Sequence, residues 1–331
     1  MSFTKNIARR IVFPLVLKLN LEKLFSFSAT TNKLILVYHG VVKQPNHSVS
    51  VGPIAYTQFE EHLKYFKANF DIVSQEEIFH MYRTGFTPKR KTIAITFDDG
   101  YENNYSQAFP LLKKYNVPAT MYIISKCIED ENIVTWYDTI DLIKHRLDIA
   151  KLKEKSLKNS SVNSIDDLKS YIKRIDIKTR QDLFADIANQ VNIDEVVKTT
   201  GREHWKLMNS HQVKELSNSG LIEIGAHSHN HPNLGEVSPE HAEMEVKTSK
   251  QLLEEVIGKE VKSIAFPDGS YTKQVKDICL AVGFKNLLAV DYRLPEDESD
   301  FNLLPRYCIS STTTFESNMV QVNRSFKNYG F

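Results

Sequence analysis

The stretch Thr92-Ile93-Ala94-Ile95-Thr96-Phe97-Asp98-Asp99-Gly100-Tyr101 constrains the fold more than any other part of the chain. Its first six residues are uncharged and rich in β-branched side chains, and they follow the basic turn Pro88-Lys89-Arg90-Lys91. That pattern predicts a buried strand. The strand then stops on two adjacent carboxylates and a glycine. An ionised carboxylate inside a protein must be paired or bound to a cation, so the two acids demand a partner. Adjacent strand residues point to opposite faces, but at a frayed end both side chains can reach one cleft. Asp-Gly is also a hairpin signal. Against a hairpin, the chain continues as a helix from Ser106 to Tyr115, then Asn116-Val117-Pro118 and a second strand from Ala119 to Ile124. This β-α-β unit puts Asp98 and Asp99 at the C-terminal end of a strand, where α/β folds build their sites.

A second signal of the same kind follows the strand Leu221-Ile222-Glu223-Ile224-Gly225-Ala226, which ends in His227-Ser228-His229-Asn230-His231-Pro232. Histidine is the commonest transition-metal ligand, and neutral imidazole needs no compensating charge. Two imidazoles spaced His-x-x-x-His can meet one ion where the backbone curls after the first. Two histidines and one aspartate leave a zinc-like ion a position open for water. A polar surface turn is the bland alternative, and it is weakened because a strand places this run just as a strand places the carboxylates.

Other strand ends complete the pattern. Leu34-Ile35-Leu36-Val37-Tyr38-His39-Gly40-Val41 carries His39 at a strand end, where a lone histidine is ordinarily a satisfied structural group. Helices are expected over 60–70 and 75–82, flanking a short strand at 70–73. Pro239 to Ile257 reads as an amphipathic helix closed by Gly258. A strand over 261–266 leads into Pro267-Asp268-Gly269-Ser270-Tyr271, which has turn chemistry. A helix over 273–282, a strand over 286–290 and a short strand over 303–309 bearing Arg306 end the ordered signal. Between about 127 and 210 the character changes: glycine is absent until Gly201, and helical periodicity appears over 137–147, 165–175 and 181–191. This segment reads as a helical insertion between two βα units, opened by the aromatic patch Trp136-Tyr137-Asp138, for which packing is favoured over a substrate-facing role.

Composition sets limits. Lysine plus arginine (42) nearly balances aspartate plus glutamate (41), which leaves no field to hold nucleic acid. The three cysteines have no metal-ligand spacing and read either as buried thiols of a reducing compartment or as uninformative. No apolar run approaches the roughly 20 residues of a spanning helix. Residues 1–33 form a basic segment with short apolar runs, broken early by Lys18, Asn20, Glu22 and Lys23. A signal peptide, a helix on an anionic membrane surface and a helix packed on the domain all remain open for it. A cytoplasmic or peripherally membrane-associated protein is favoured over a secreted one.

Thr96-Phe97-Asp98-Asp99-Gly100, His227-Ser228-x-x-His231-Pro232 and Phe266-Pro267-x-Gly269 together resemble the first three motifs of the polysaccharide deacetylase family. This is carbohydrate esterase family 4, which has the chitooligosaccharide deacetylase homology domain. The resemblance spans about residues 34 to 309 and implies an α/β fold: a distorted, incomplete (β/α) barrel, here carrying a helical insertion. It implies metal-dependent removal of N- or O-acetyl groups from an acetylated glycan or lipid-linked sugar. Residue by residue, it makes Asp99, His227 and His231 the ligands of one divalent ion, Zn²⁺ or else Co²⁺ or Ni²⁺. It makes Asp98 the general base, and it gives the Tyr101 backbone N–H to the oxyanion, with Pro267 and Asp268 lining the substrate side. Ser228 would buttress the histidine loop, and His229 falls at a variable position, either behind the ligands or in solvent.

Two features depart from the family pattern. The third motif lacks its arginine, and no histidine follows His241 to supply the C-terminal general acid. Both gaps resemble the poly-N-acetylglucosamine deacetylase subgroup, in which a first-strand Tyr-His supplies the acid. Tyr38-His39 matches it, so the resemblance makes His39 the acid and Arg306 the cation that orients Asp98. Two rival functions stand beside this one. A catalytically silent carbohydrate-binding module on the same fold would not need Asp98. An aspartyl-phosphate phosphatase would want its aspartates one residue apart and a lysine downstream.

Overall fold

The computed structural model describes residues 12–19, 21, 31–47, 49–50, 52–158 and 160–328. Eleven strands are named here in chain order: β1 (Lys33–Tyr38), β2 (Gly40–Val42), β3 (Pro53–Ala55), β4 (Asp71–Ile72), β5 (Thr92–Phe97), β6 (Ala119–Ile123), β7 (Ile222–Ala226), β8 (Ser263–Ala265), β9 (Asn286–Ala289), β10 (Leu303–Pro305) and β11 (Tyr307–Cys308). The main sheet is parallel throughout and runs β10-β9-β8-β7-β6-β5-β1-β11, with β4 added beside β5. Its two edges, β10 and β11, are separated in sequence by Arg306 alone. The chain therefore crosses from one edge of the sheet to the other within one residue. The result is a nearly closed parallel barrel with helices outside.

The period of two along each strand fills the barrel. Ile35, Ala94, Tyr122, Ala265, Leu288 and Leu304, one from each of six strands, form a buried interior cluster with Ile78 and Phe79. Those last two belong to the helix Gln75–Arg83, which closes the bottom and starts from a complete Ser74/Glu77 capping box. Gly225 in β7 makes room for the Tyr122 ring, because a Cβ there would collide with Cε1 and Cδ1 of that tyrosine. Two steps further up each strand come the chemically interesting positions: Thr96 and Asp98 above Ala94, His39 above Val37, His227 above Gly225, and Arg306 above Leu304. The outer faces of the strands pack on the helices in the larger core.

The insertion comprises the helices Lys126–Glu129, Trp136–Ile143, Ile149–Lys155, Ile165–Ile172, Ile177–Ala188 and Ile193–Thr199. It has its own core, from Ile140 and Ile143 through Leu168 and Ile172 to Val196. Several of its helices start at side-chain caps, such as Thr135, Asp148, Ser164, Asp176 and Asn192, which explains helices in so polar a sequence.

Three expectations need correction. The ordered chain does not end near Ile309: helix Phe315–Asn328 follows and buries Met319, Val322 and Phe326. The expected single strand over 303–309 is two strands on opposite edges. Of the cysteines, Cys127 and Cys279 are buried but Cys308 is exposed, because β11 ends at the mouth of the barrel. In the N-terminal segment, helix Phe13–Lys18 packs against helix 315–328 and leaves Val12, Leu15, Leu19 and Leu21 exposed. Most of the proposed membrane-contacting stretch, residues 1–11, 20 and 22–30, lies outside the described residues. No described helix is long and apolar enough to cross a membrane.

Candidate active site

The two carboxylates reach one cleft because the strand breaks between them. Asp98 continues the inward face of β5, whereas Asp99 leaves the strand with φ of 70°, which turns its side chain back toward the barrel mouth. Gly100, at φ of 76°, sits against Ile123 and completes the turn. Asp98 is held by Arg306 in a bidentate pair, with Nη1 to Oδ1 and Nη2 to Oδ2 both at 2.7 Å. Nη1 also donates to the Thr96 hydroxyl at 3.3 Å, and the guanidinium lies 5.4 Å from the Tyr122 ring centroid. Arg306 is fully buried, so the fork is fixed on its carboxylate.

His227 and His231 converge on Asp99. Both Nε2 atoms lie 3.5 Å from Asp99 Oδ1, and the three side chains are buried with their ligand atoms within 4.8 Å of one another. A tetrahedral ion with bonds of about 2.0–2.1 Å requires its ligands about 3.3–3.4 Å apart, which the two 3.5 Å separations from Asp99 approach. The His227 ring is oriented by a contact of 2.9 Å between Nδ1 and the Ala265 carbonyl, the usual device that leaves Nε2 for a metal. Within the described residues, Asp99 contacts no lysine or arginine among its ion pairs, only these imidazoles. A carboxylate so placed suits a cation between the rings.

The loop between the histidines is built for this convergence. Ser228 and His231 both take positive φ, 60° and 53°. The Ser228 hydroxyl accepts the His231 N–H at 3.0 Å, and the Ser228 carbonyl accepts from the Ser249 hydroxyl at 3.1 Å. Glu245, fully buried on helix Pro239–Ile257, accepts the backbone N–H groups of His229 and Asn230 at 2.9 and 2.7 Å. His229 itself is buried, its Nδ1 3.0 Å from the Ser125 hydroxyl, so it is a structural residue of the loop and not a solvent-facing one.

Electrostatics divides the four groups. Burial alone would raise Asp98, but the Arg306 guanidinium and His227 more than offset it and hold the carboxyl below its usual range. Asp99 is likewise lowered against its burial, by His227, His39 and His231. Burial would lower His227, but Asp98 and Asp99 raise it. His231 goes the other way, pushed down to about 4 by burial and by His227. At neutral pH His231 therefore presents the uncharged ring that a metal ligand must be.

His39 lines the same cleft, of about 240 Å³, with Asp98, Asp99, His227 and His231, and its carbonyl is tied by Asn104 Nδ2 at 3.0 Å. Tyr101 is buried, and its hydroxyl lies 2.9 Å from both Asp138 oxygens. In the third motif, Phe266, Asp268 and Gly269 line the cleft, whereas Pro267 is buried behind them and shapes the turn. The opposite wall comes from the insertion: Trp136, Tyr137, Asp141, Lys169 and Lys173. Trp136 Nε1 donates to the His231 carbonyl at 3.3 Å, and the Tyr137 ring centroid is 4.8 Å from that of His231. The aromatic patch therefore lines the cleft and also has the packing role favoured from sequence, Trp136 against the core of the insertion and Tyr137 against that of the barrel. Its aromatic density was the one available signal; Asp141, Lys169 and Lys173 lie on helices and gave none.

Comparison with known proteins agrees with this geometry. The sequence model of the polysaccharide deacetylase family matches residues 86–287. The Bacillus subtilis protein YxkH is 34% identical over 107 residues, which are 31% of this chain and 38% of that protein. A Staphylococcus aureus poly-β-1,6-N-acetyl-D-glucosamine N-deacetylase is 32% identical over 124 residues, 37% of each chain. The chain thus matches well under half the length of these curated relatives. Among solved structures, the Streptococcus pyogenes deacetylase PplD superposes with a TM-score of 0.57 at 19% identity, covering 87% of this chain and 96% of that one. A family match across more than half of the sequence, on a barrel of the same fold, places this chain in the polysaccharide deacetylase family.

Proposed function

We propose that the chain is a divalent-metal-dependent hydrolase that removes acetyl groups, above all N-acetyl, from an amino-sugar glycan or glycoconjugate. The observation that carries this reading is the convergence of Asp99, His227 and His231 beside an arginine-paired Asp98. The name of the staphylococcal relative points to an N-acetylglucosamine polymer as the substrate class.

Asp99, His227 and His231 would hold the ion, Zn²⁺ or else Co²⁺ or Ni²⁺. When bound, such an ion supplies Lewis acidity that acidifies a water and polarises an acyl oxygen. Asp98 takes a proton at the cleft, and Arg306 keeps it ionised and fixes its plane. A carboxylate held this low is a weak base, which suits an already acidified water and not a bulk one. His39 stands in the same cleft and can deliver a proton to the leaving nitrogen, a role for which the sequence offers no histidine after His241. The backbone of Tyr101 is held in place by the Asp138 clamp on its side chain.

The test is acetate release from β-1,6- and β-1,4-linked N-acetylglucosamine oligomers and from O-acetylated glycans, with chelated protein and after addition of Zn²⁺, Co²⁺ or Ni²⁺. Metal-restored release from an N-acetylated oligomer is expected. Release that survives complete chelation, or one metal per chain retained by His231→Ala after dialysis, would overturn the ligand assignment.

A further inference from the structure

Behind the candidate active site, the insertion and the barrel enclose a separate hollow of about 340 Å³. Ile124, at the end of β6, gives it an apolar floor, and Asn230 of the histidine loop reaches it from the barrel side. Trp136, Arg180 and Gln181 face it from the insertion, and Arg180 is the one charged residue of its lining. Trp136 also lines the active-site cleft, so a single indole divides the two spaces. Ligand pockets run from about 300 to 1,000 Å³, and this one is of a size for a small molecule.

Arg180 sets the chemistry of the hollow. It is half-buried on helix Ile177–Ala188, and its guanidinium has no ion-pair or hydrogen-bond partner among the described residues. Burial pulls it below the usual arginine range, against the opposing pull of Glu245 and Asp176. Both of those acids are spent on other donors. Glu245 accepts the N–H groups of His229 and Asn230 and, at 2.8 Å, the Asn230 side-chain amide. Asp176 caps its helix, accepting the Thr179 N–H at 2.9 Å and the Thr179 hydroxyl at 2.6 Å. Arg306 makes the contrast, since it is buried more deeply and its fork is filled by Asp98. A cation drawn out of water costs free energy until a counter-charge meets it. The guanidinium offers five donors in a planar fork that matches a carboxylate or phosphate side-on.

We propose that this hollow is a binding site for a small oxyanion, a carboxylate or phosphate group held side-on by Arg180 and by the neighbouring Gln181 amide. The site goes beyond the deacetylase reading and stands apart from the candidate metal ligands, on the far side of Trp136. A bound anion supplies the counter-charge that Glu245 and Asp176 do not, and it bridges helix Ile177–Ala188 to the histidine loop.

Binding is followed by Trp136 fluorescence in the zinc-loaded full chain with Trp205→Phe, where one indole remains. Inorganic phosphate and glucuronate are titrated separately at constant ionic strength in chloride, which distinguishes a free phosphate from a carboxylate carried on a sugar. A saturable response to at least one probe is expected. Arg180→Gln should weaken it by about tenfold or more, as loss of hydrogen bonds to a charged group predicts. Arg180→Lys, which keeps the charge and loses the fork, should bind with intermediate strength, and circular dichroism checks that both variants fold. An anion can also meet a metal ion, so the titration is repeated in Asp99→Asn. A response kept in Asp99→Asn and lost in Arg180→Gln supports the site. A response lost in Asp99→Asn, unchanged in Arg180→Gln, or absent with both probes overturns it. Hydrogen exchange gives a second reading: the anion should slow exchange over residues 177–188, and unchanged exchange there at saturating anion would also overturn the site.

Discussion

At the scale of the residue, the pair Asp98–Arg306 decides what each carboxylate can do. Arg306 occupies both oxygens of Asp98, so Asp98 has its charge compensated, while among the described residues the ion-pair partners of Asp99 are imidazoles. Asp98→Asn is accordingly expected to keep its metal and lose turnover by about 10²–10⁴, the usual contribution of a general base. Metal content by plasma emission spectrometry, read beside acetate release, checks it; loss of both together would move Asp98 into the coordination shell. His39→Ala should bind metal normally and lose turnover of an amide more than of an ester, since an alkoxide leaves with less help than an amine. Equal loss on the two substrates would give His39 a placing role and not a proton to deliver. Asp98 and His227 were legible because each directly follows a run of β-branched or apolar residues, and strand period then aims them; Asp99 and His231 follow within four residues and reach the same cleft through left-handed backbone. Lys169, Lys173 and Asp141 were not, since a charged residue on a helix carries no mark of which face meets a cleft.

At the scale of the element, the histidine loop depends on one acid from the helix that follows it. Glu245 binds two successive backbone N–H groups while wholly buried. Its loss would leave those donors unsatisfied and free the loop to relax from its two left-handed residues. Glu245→Ala should weaken zinc affinity by about 10–100-fold, measurable by competition with a chromogenic chelator, while circular dichroism retains the helical signal. Unchanged affinity would mean that Ser228 and Ser249 suffice. The helix itself was readable from end to end, Pro239 to Ile257, because Ser238 and Gly258 cap it. The helix Phe315–Asn328 was passed over because asparagine, serine and glutamine dilute it, although Phe315, Met319, Val322 and Phe326 already had helical spacing.

At the scale of the whole molecule, the barrel and the insertion have separate cores that meet at the cleft. Leu168 is fully buried in the smaller one, and Leu168→Ala should cost that unit about 2–5 kcal/mol. Hydrogen exchange should then quicken over residues 136–200 and stay slow in β5, β6 and β7; uniform quickening would show one cooperative unit. Acid should act on the barrel through His62, which burial drives down to about 3 from 6.5 and whose Nδ1 sits 2.9 Å from the Tyr38 hydroxyl. Between those values the unfolded chain binds a proton that the folded chain refuses, so stability is full above pH 6.5 and falls as pH drops toward 3, by up to ~1.4 kcal/mol per pH unit. Urea midpoints at pH 7 and 5 should therefore differ less in His62→Gln than in the native chain. The near-closure of the sheet at Arg306 has a further consequence, one of timing. During synthesis Asp98 emerges 208 residues before the arginine that pairs with it. Until that last stretch leaves the ribosome, the inward-facing acid of β5 has no counter-charge and the first and last strands have no seam. A chain cut short between His231 and Arg306 carries all four residues of the two strand-end motifs and still lacks the cation that fixes and compensates Asp98.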